Sequence, residues 1–319
     1  MIPAVPPLLR TVERLVALDA GHGATAAVPA AREAVRRFPA LSADPESLRG
    51  RPADHLAALA ELCEVIGWIL FDAGLHRQAA YANARAFALA ELCGDRSTAR
   101  LVRLNHSMLQ AHTGRPRAAL ESAARVTGPR ALPARVDSLV LIRRAHATAL
   151  LGGHREPLEL ISRARSRFLD GISRHDPHWA WWIDETELLG HHGWVLARLH
   201  HWDRAIPLLH EAATAPGPSY RHLFAAELLS ALTGAGAWRE AETLIADLAP
   251  RAARIGSVRT TGTLHRTATT LLRRPDTPAS LREAAAFLLD SLPAQGVSCR
   301  SGTASSSAER RGAPAEAAA

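Results

Sequence analysis

Lysine does not occur in the 319 residues, so the net charge of +7 rests on arginine alone. The Arg and Ala bias matches a GC-rich bacterial genome, which weakens the basic balance as a pointer to an anionic partner. A nucleic-acid reader gathers its charge into a patch, whereas here Arg recurs along most of the predicted helices, as on solvated faces. Cysteine is scarce as well. Cys63, Cys93 and Cys299 have no metal-ligand spacing and form no disulfide framework. Two of them sit in helical segments, as ELCE and ELCG, where a buried thiol is the default. Aromatic residues make up 5% of the chain and tyrosine occurs twice. This shortage, with few β-branched residues and many strong helix formers, predicts an all-α protein. No apolar run reaches the length of a membrane span, and the start, MIPAVPPLLRTVERL, has no long apolar signal core. The expectation is a cytoplasmic protein without membrane contact.

Motifs for chemistry are missing too. There is no Ser–His–Asp order, nucleophile elbow, phosphate loop or dinucleotide fingerprint. GHGATAA (21–27) follows no strand, and GSVRTTGT (256–263) reads only as a Thr-rich helix start. The sequence therefore predicts neither an enzyme nor a bound cofactor.

What the chain does have is apolar residues, 47% of the total and enough for a sizeable core, and a recurring turn. Gly74, Gly114, Gly153, His200 and Gly236 are each followed five residues later by Ala79, Ala119, Leu158, Ala205 and Ala241. Gly-Trp precedes this Ala by one interval in two places, Gly67-Trp68 and Gly193-Trp194. The pattern resembles a tetratricopeptide-repeat array. In such an array the Gly lets paired helices approach, and the Ala sits where a larger side chain would push them apart. The predicted architecture is an all-α solenoid of about five helix pairs: 52–72 with 76–93, 96–113 with 116–126, 132–152 with 155–169, 179–199 with 203–214, and 219–234 with 238–253. Helices over 8–18 and 25–38 lead in from residues 1–50, and the repeats fill 51–253. Capping helices at 257–273 and 279–291 close residues 254–292, as a solenoid end requires. The Ser/Ala/Gly-rich segment 293–319 is predicted to be disordered.

A narrower resemblance rests on LVALDAGHGATAAVPAAREAVRR (15–37), AELCEVIGWILFDAGLHRQAA (60–80), ALAELCGDRSTARLVRLNHSMLQAHTGRPRAAL (88–120) and PHWAWWIDETELLGHHGWVLARLHHWDRAIPLL (177–209). Together they look like the C-terminal sensor region of actinobacterial XRE-type transcriptional regulators, across nearly all of residues 12–275. Gly67, Trp68, Phe71, Asp72, Ala73 and Gly74 carry the likeness most closely, and Gly94-Asp95-Arg96 fits it too. In that family a helix-turn-helix precedes the array. Residues 1–50 contain no compact set of helices around a short turn, so DNA would be reached only through a domain absent from this chain. The resemblance implies a regulatory, non-catalytic module that binds a peptide, a small signalling metabolite or a partner protein. A free-standing interaction scaffold is the alternative.

Four of the seven tryptophans fall within HDPHWAWWIDETELLGHHGW (175–194). Trp202 and Trp238 occupy a place two residues beyond the turn, where a ring plugs the paired helices, and they are expected to be core. Trp68 and Trp194 follow the motif glycine. In a tetratricopeptide array that place faces the concave surface, so they either line a groove or fill the superhelix interior. Helical spacing adds neighbours to the groove wall: Glu61, Glu64 and Asp72 around Trp68, Glu187 and Arg198 around Trp194, Met108 and His112 on the second pair, and Arg143 on the third. Asp184, Glu187 and His191 share a face at i, i+3 and i+7. The adopted reading of those three is a solvated or intrahelically bonded face and not a metal site.

Overall fold

The computed structural model describes residues 5–126 and 131–293. Fourteen α-helices and no strand occur among them. The lead-in helices are α1 (Val5–His22) and α2 (Ala24–Arg37). The pairs follow as α3 (Ala53–Asp72) with α4 (His76–Cys93), α5 (Arg96–His112) with α6 (Pro116–Ala124), and α7 (Ala134–Leu150) with α8 (Arg155–Leu169). Next come α9 (Glu185–Arg198) with α10 (Trp202–Thr214), and α11 (His222–Ala235) with α12 (Trp238–Leu248). The last two helices are α13 (Val258–Arg273) and α14 (Ala279–Ser291). Beyond Pro293, the segment expected to be disordered lies outside the described residues.

Five turns join the pairs through a left-handed residue: Gly74, Gly114, Gly152, His200 and Gly236. In four of them the next helix starts two residues on, and its fourth residue is an alanine with no exposed surface: Ala79, Ala119, Ala205 and Ala241. The third pair departs from the expected register. Its left-handed residue is Gly152 and not Gly153, so the turn is one residue longer before α8. Leu158 in the alanine place is only half-buried, while Pro157 and Leu160 turn inward. A leucine is too large for the gap that the four alanines fill, so its neighbours take the buried positions.

Three other expectations are corrected. The predicted helix 179–199 is broken into a 3-10 turn, His178–Trp182, and α9. Asp184 causes the break: its backbone is extended and its side chain accepts the Glu187 N–H at 3.0 Å, as an N-cap does. The predicted 238–253 helix likewise ends at Leu248, and Ala249–Arg254, which contains Pro250, continues as a 3-10 turn. Trp202 and Trp238 are half-buried and not deep core. Each opens its helix, so its ring reaches the following element and does not enter the gap within its own pair. Trp202 lies across Gly234, and Trp238 holds the Arg274 guanidinium 4.7 Å above its ring.

The odd-numbered helices form an inner row, in which α3 touches α5, α5 touches α7, α7 touches α9, α9 touches α11 and α11 touches α13. Gly193 allows such closeness within a pair, since a Cβ there would lie 2.7 Å from Leu209 Cγ. The α1 helix packs on α3. The two ends of the row then meet. Gly23 and Gly256 stand back to back, so that a Cβ on Gly23 would lie 2.6 Å from the Gly256 Cα. Thr25 N donates to the Gly256 carbonyl at 2.9 Å. Arg259 of α13 reaches Asp72 of α3 at 3.0 Å, and both are buried. GHGATAA and GSVRTTGT are therefore docking strips for each other, which neither segment reveals alone. Their contact brings the two ends of the inner row together.

Candidate functional site

The enclosed interior holds a cavity of about 190 Å³. On α3, Glu61, Glu64 and Trp68 recur at i, i+3 and i+7 and so share the face that lines it. Met108 of α5, Arg143 of α7 and Glu187 of α9 line it as well. Six of the ten residues picked out from the sequence thus converge on one space. The other four stand around it. Asp72 holds Arg259, which does line the cavity. His112 packs its ring edge-on to Phe71 at 5.5 Å, behind the α3 wall. Trp194 lies one turn beyond His191 on α9, stacked on that ring and in contact with His146 at 4.4 Å. It fills the helix interface, and His191 takes the place at the wall. Arg198 is exposed, with its guanidinium 5.7 Å from the Trp194 ring.

Spacing within single helices did not disclose the rest of the lining. Asp19 comes from α1 and Arg259 from α13, the two ends of the chain that the Gly23–Gly256 contact brings together. Tyr220, Phe224 and the 3-10 turn with His178, Trp179 and Trp182 complete the wall. The Trp179 indole donates to Ser97 Oγ at 2.9 Å and so ties the turn to α5. The exposed members, His178 and Trp181, mark the mouth, where His178 Nε2 meets Glu61 Oε1 at 3.1 Å. Arg143, Glu187 and His191 are buried and form the floor.

Burial governs the charges inside. It pushes Glu64 up to about 8, helped by Glu61 and opposed by the hydrogen bond from Asn105, whose Nδ2 donates at 2.6 Å. Asp19 is raised to about 7 by burial and then by Asp72, against the Trp68 indole and Arg259. Burial also lifts Glu187 to about 7, outweighing the Arg221 guanidinium 3.4 Å away. His146 and His191, 3.1 Å apart, are both held well below the usual imidazole value, by burial first and the Arg143 charge second. At neutral pH these rings are uncharged.

Of the two expectations for the Asp184–Glu187–His191 face, the solvated one fails, because Glu187 and His191 are buried, and the intrahelical one fits their contact. The two meet at 3.6 Å along the helix, and Arg221 binds both Asp184 and Glu187. A guanidinium therefore occupies the position a cation would take between these carboxylates. Among the described residues no group of His, Cys, Asp and Glu is arranged to hold a metal ion.

Two cations remain at the floor. Arg259 is committed: Nε donates to Asp72, Nη1 lies 3.2 Å from Met108 Sδ, and the group sits over the Trp68 and Phe71 rings. Arg143 is not. It is 3% exposed, and its Nε and Nη1 make no hydrogen bond. Burial, then the Arg259 charge, depress its guanidinium to about 9, with Glu187 opposing, so it stays charged at neutral pH. Among the described residues no helix is long and apolar enough to cross a membrane. No protein-family model matches the chain, and no curated protein matches it either.

Proposed function

We propose that the chain is a non-catalytic regulatory module whose interior binds a small molecule. The enclosed cavity carries this reading. A peptide groove would be open along the inner row, whereas here α1 and α13 close it to a space that suits a metabolite. Rings provide desolvated contact area, and a few buried polar groups fix orientation, which is the usual make-up of a ligand site. The inner row and the four buried turn alanines support a tetratricopeptide-like solenoid. The motifs resembling XRE-type regulators support a sensor role in transcription, in which binding shifts the array between curvatures and an attached or partner domain reads the shift.

The scaffold alternative has one observation in its favour. Leu169, Ile172 and Trp181 are exposed apolar side chains, the last of them at the mouth. One experiment separates the two readings. An extract of the protein's own host is divided into a fraction below about 1 kDa and a macromolecular fraction, and each is titrated into the purified chain while Tm is followed. A saturable rise with the low-mass fraction, lost in Val16→Trp, where an indole would fill the cavity that Val16 of α1 lines, is the expected result, because binding to the folded state alone raises Tm. A rise only with the macromolecular fraction would establish the scaffold and overturn the sensor reading.

A further inference from the structure

We infer that the cavity holds a small organic monoanion, with a carboxylate headgroup seated on Arg143 and an apolar body against Trp68, Trp179 and Trp182. This rests on the ligand-binding reading above and names the chemistry of its occupant. The starting point is the Arg143 guanidinium, which is buried on the cavity floor with Nε and Nη1 lacking any acceptor. A buried charge without acceptors is strongly destabilising, so folded proteins rarely keep one that nothing else needs. Its surroundings do not neutralise it. Arg259 adds like charge and spends its own donors on Asp72 and Met108. Glu187 is the carboxylate whose charge acts on Arg143, but its two oxygens already face Arg221 and His191. The floor thus carries positive charge that nothing nearby neutralises, on a residue that lines the cavity and whose covered Nε and Nη1 have no acceptor, and a carboxylate is the group a guanidinium pairs with best.

The rest of the cavity narrows the class. Asp19 and Glu64 line the same space, so a dianionic phosphate would meet carboxyl groups that a single negative charge on Arg143 avoids. Tryptophans on two sides call for an apolar body, since they offer ring faces, while the indole N–H groups of Trp179 and Trp68 are already turned to Ser97 and Asp19. The volume of about 190 Å³ sets the scale. An apolar cavity of about 150 Å³ admits benzene, so an aryl or short alkyl acid fits and a folded peptide does not.

The test uses three probes of similar size on the full chain: phenylacetate, phenylacetamide and phenethylamine. Phenylacetate should raise Tm saturably, with apparent affinity at least about tenfold above that of the neutral amide, and the amine should give no rise. Arg143→Met should remove the preference for the acid while leaving the ligand-free Tm at or above that of the parent, because the uncompensated buried charge is gone. A merely structural Arg143 would instead lower Tm on substitution. Arg143→Gln repeats the comparison should the Met variant not fold. Equal binding of acid and amide, preference for the amine, retention of acid preference without Arg143, or no response to phenylacetate would each overturn the assignment. Should the low-mass extract still stabilise the protein while phenylacetate does not, the headgroup is wrong and the cavity reading stands.

Discussion

Glu64 shows how a single residue ties stability to pH. Its carboxyl is buried, accepts from Asn105 and titrates near 8 in the folded chain, against an ordinary value of 4.5. Between these values the folded protein keeps a proton that the unfolded chain has released. Its contribution is therefore full below pH 4.5 and is lost as pH rises through 8. His112 works in the opposite direction. Burial and then the Arg259 charge hold it near 4 against 6.5, so its contribution is present above 6.5 and is lost as pH falls through 4. Above 6.5 the raised carboxyls act together with His178, whose imidazole the Glu61 carboxylate holds above its usual value, and stability should decline by about 1–2 kcal/mol from Glu64 alone between pH 6.5 and 8. Glu64→Gln keeps the acceptor for Asn105 and cannot ionise. Chemical denaturation at the two pH values should show a shallower decline in that variant, and an unchanged slope would place the proton elsewhere. Helical spacing was enough to put Glu61, Glu64 and Trp68 on one face. It could not show that His191, one turn from Trp194, takes the wall position, because that depends on where α11 crosses α9.

At the scale of the element, the turns are the most informative pieces. His200 has a left-handed backbone (φ 60°) where the other four pair turns use glycine. A β-branched residue is badly suited to that region. His200→Val should therefore cost ~1–2 kcal/mol, whereas His200→Gly should stay within ~0.5 kcal/mol of the parent. Equilibrium unfolding of the two variants checks this, and equal stabilities would mean that the turn relaxes at no cost. The pairs were legible in the sequence because each turn is local: one left-handed residue, a fixed step and a small side chain. The 3-10 turn at His178–Trp182 was not legible. Asp176-Pro177 reads as a helix entry, and only the Asp184 cap reveals that the helix starts later. The clasp between elements was hidden for a related reason. Gly23 and Gly256 are ordinary in their own segments and matter only where they touch. In Gly256→Ala the new Cβ would lie 2.2 Å from the His22 carbonyl oxygen, which is backbone and cannot rotate away. Overpacking of this kind costs ~1–3 kcal/mol. Hydrogen exchange should quicken in α1 and α2 and remain unchanged in α7 and α8. Uniform protection would mean that the ends are not held by this contact.

Across the whole molecule, the all-helical class followed from composition, since there are few residues that favour strands and many that favour helices. Closure did not follow, because no periodic pattern encodes a contact between the first helices and the thirteenth. It has a consequence for how the protein is made. The contacts that finish the cavity join Asp19 to Ser219, Thr25 to Gly256 and Asp72 to Arg259. Local helix pairs can form as the chain emerges from the ribosome, but pairings this distant in sequence must wait and are slow to find. The interior cavity is thus among the last parts of the molecule to come into being. A nascent chain lacks Arg259 and the Gly256 contact until α13 is synthesised, and a chain cut short before it would carry most of the helices around a cavity without that wall.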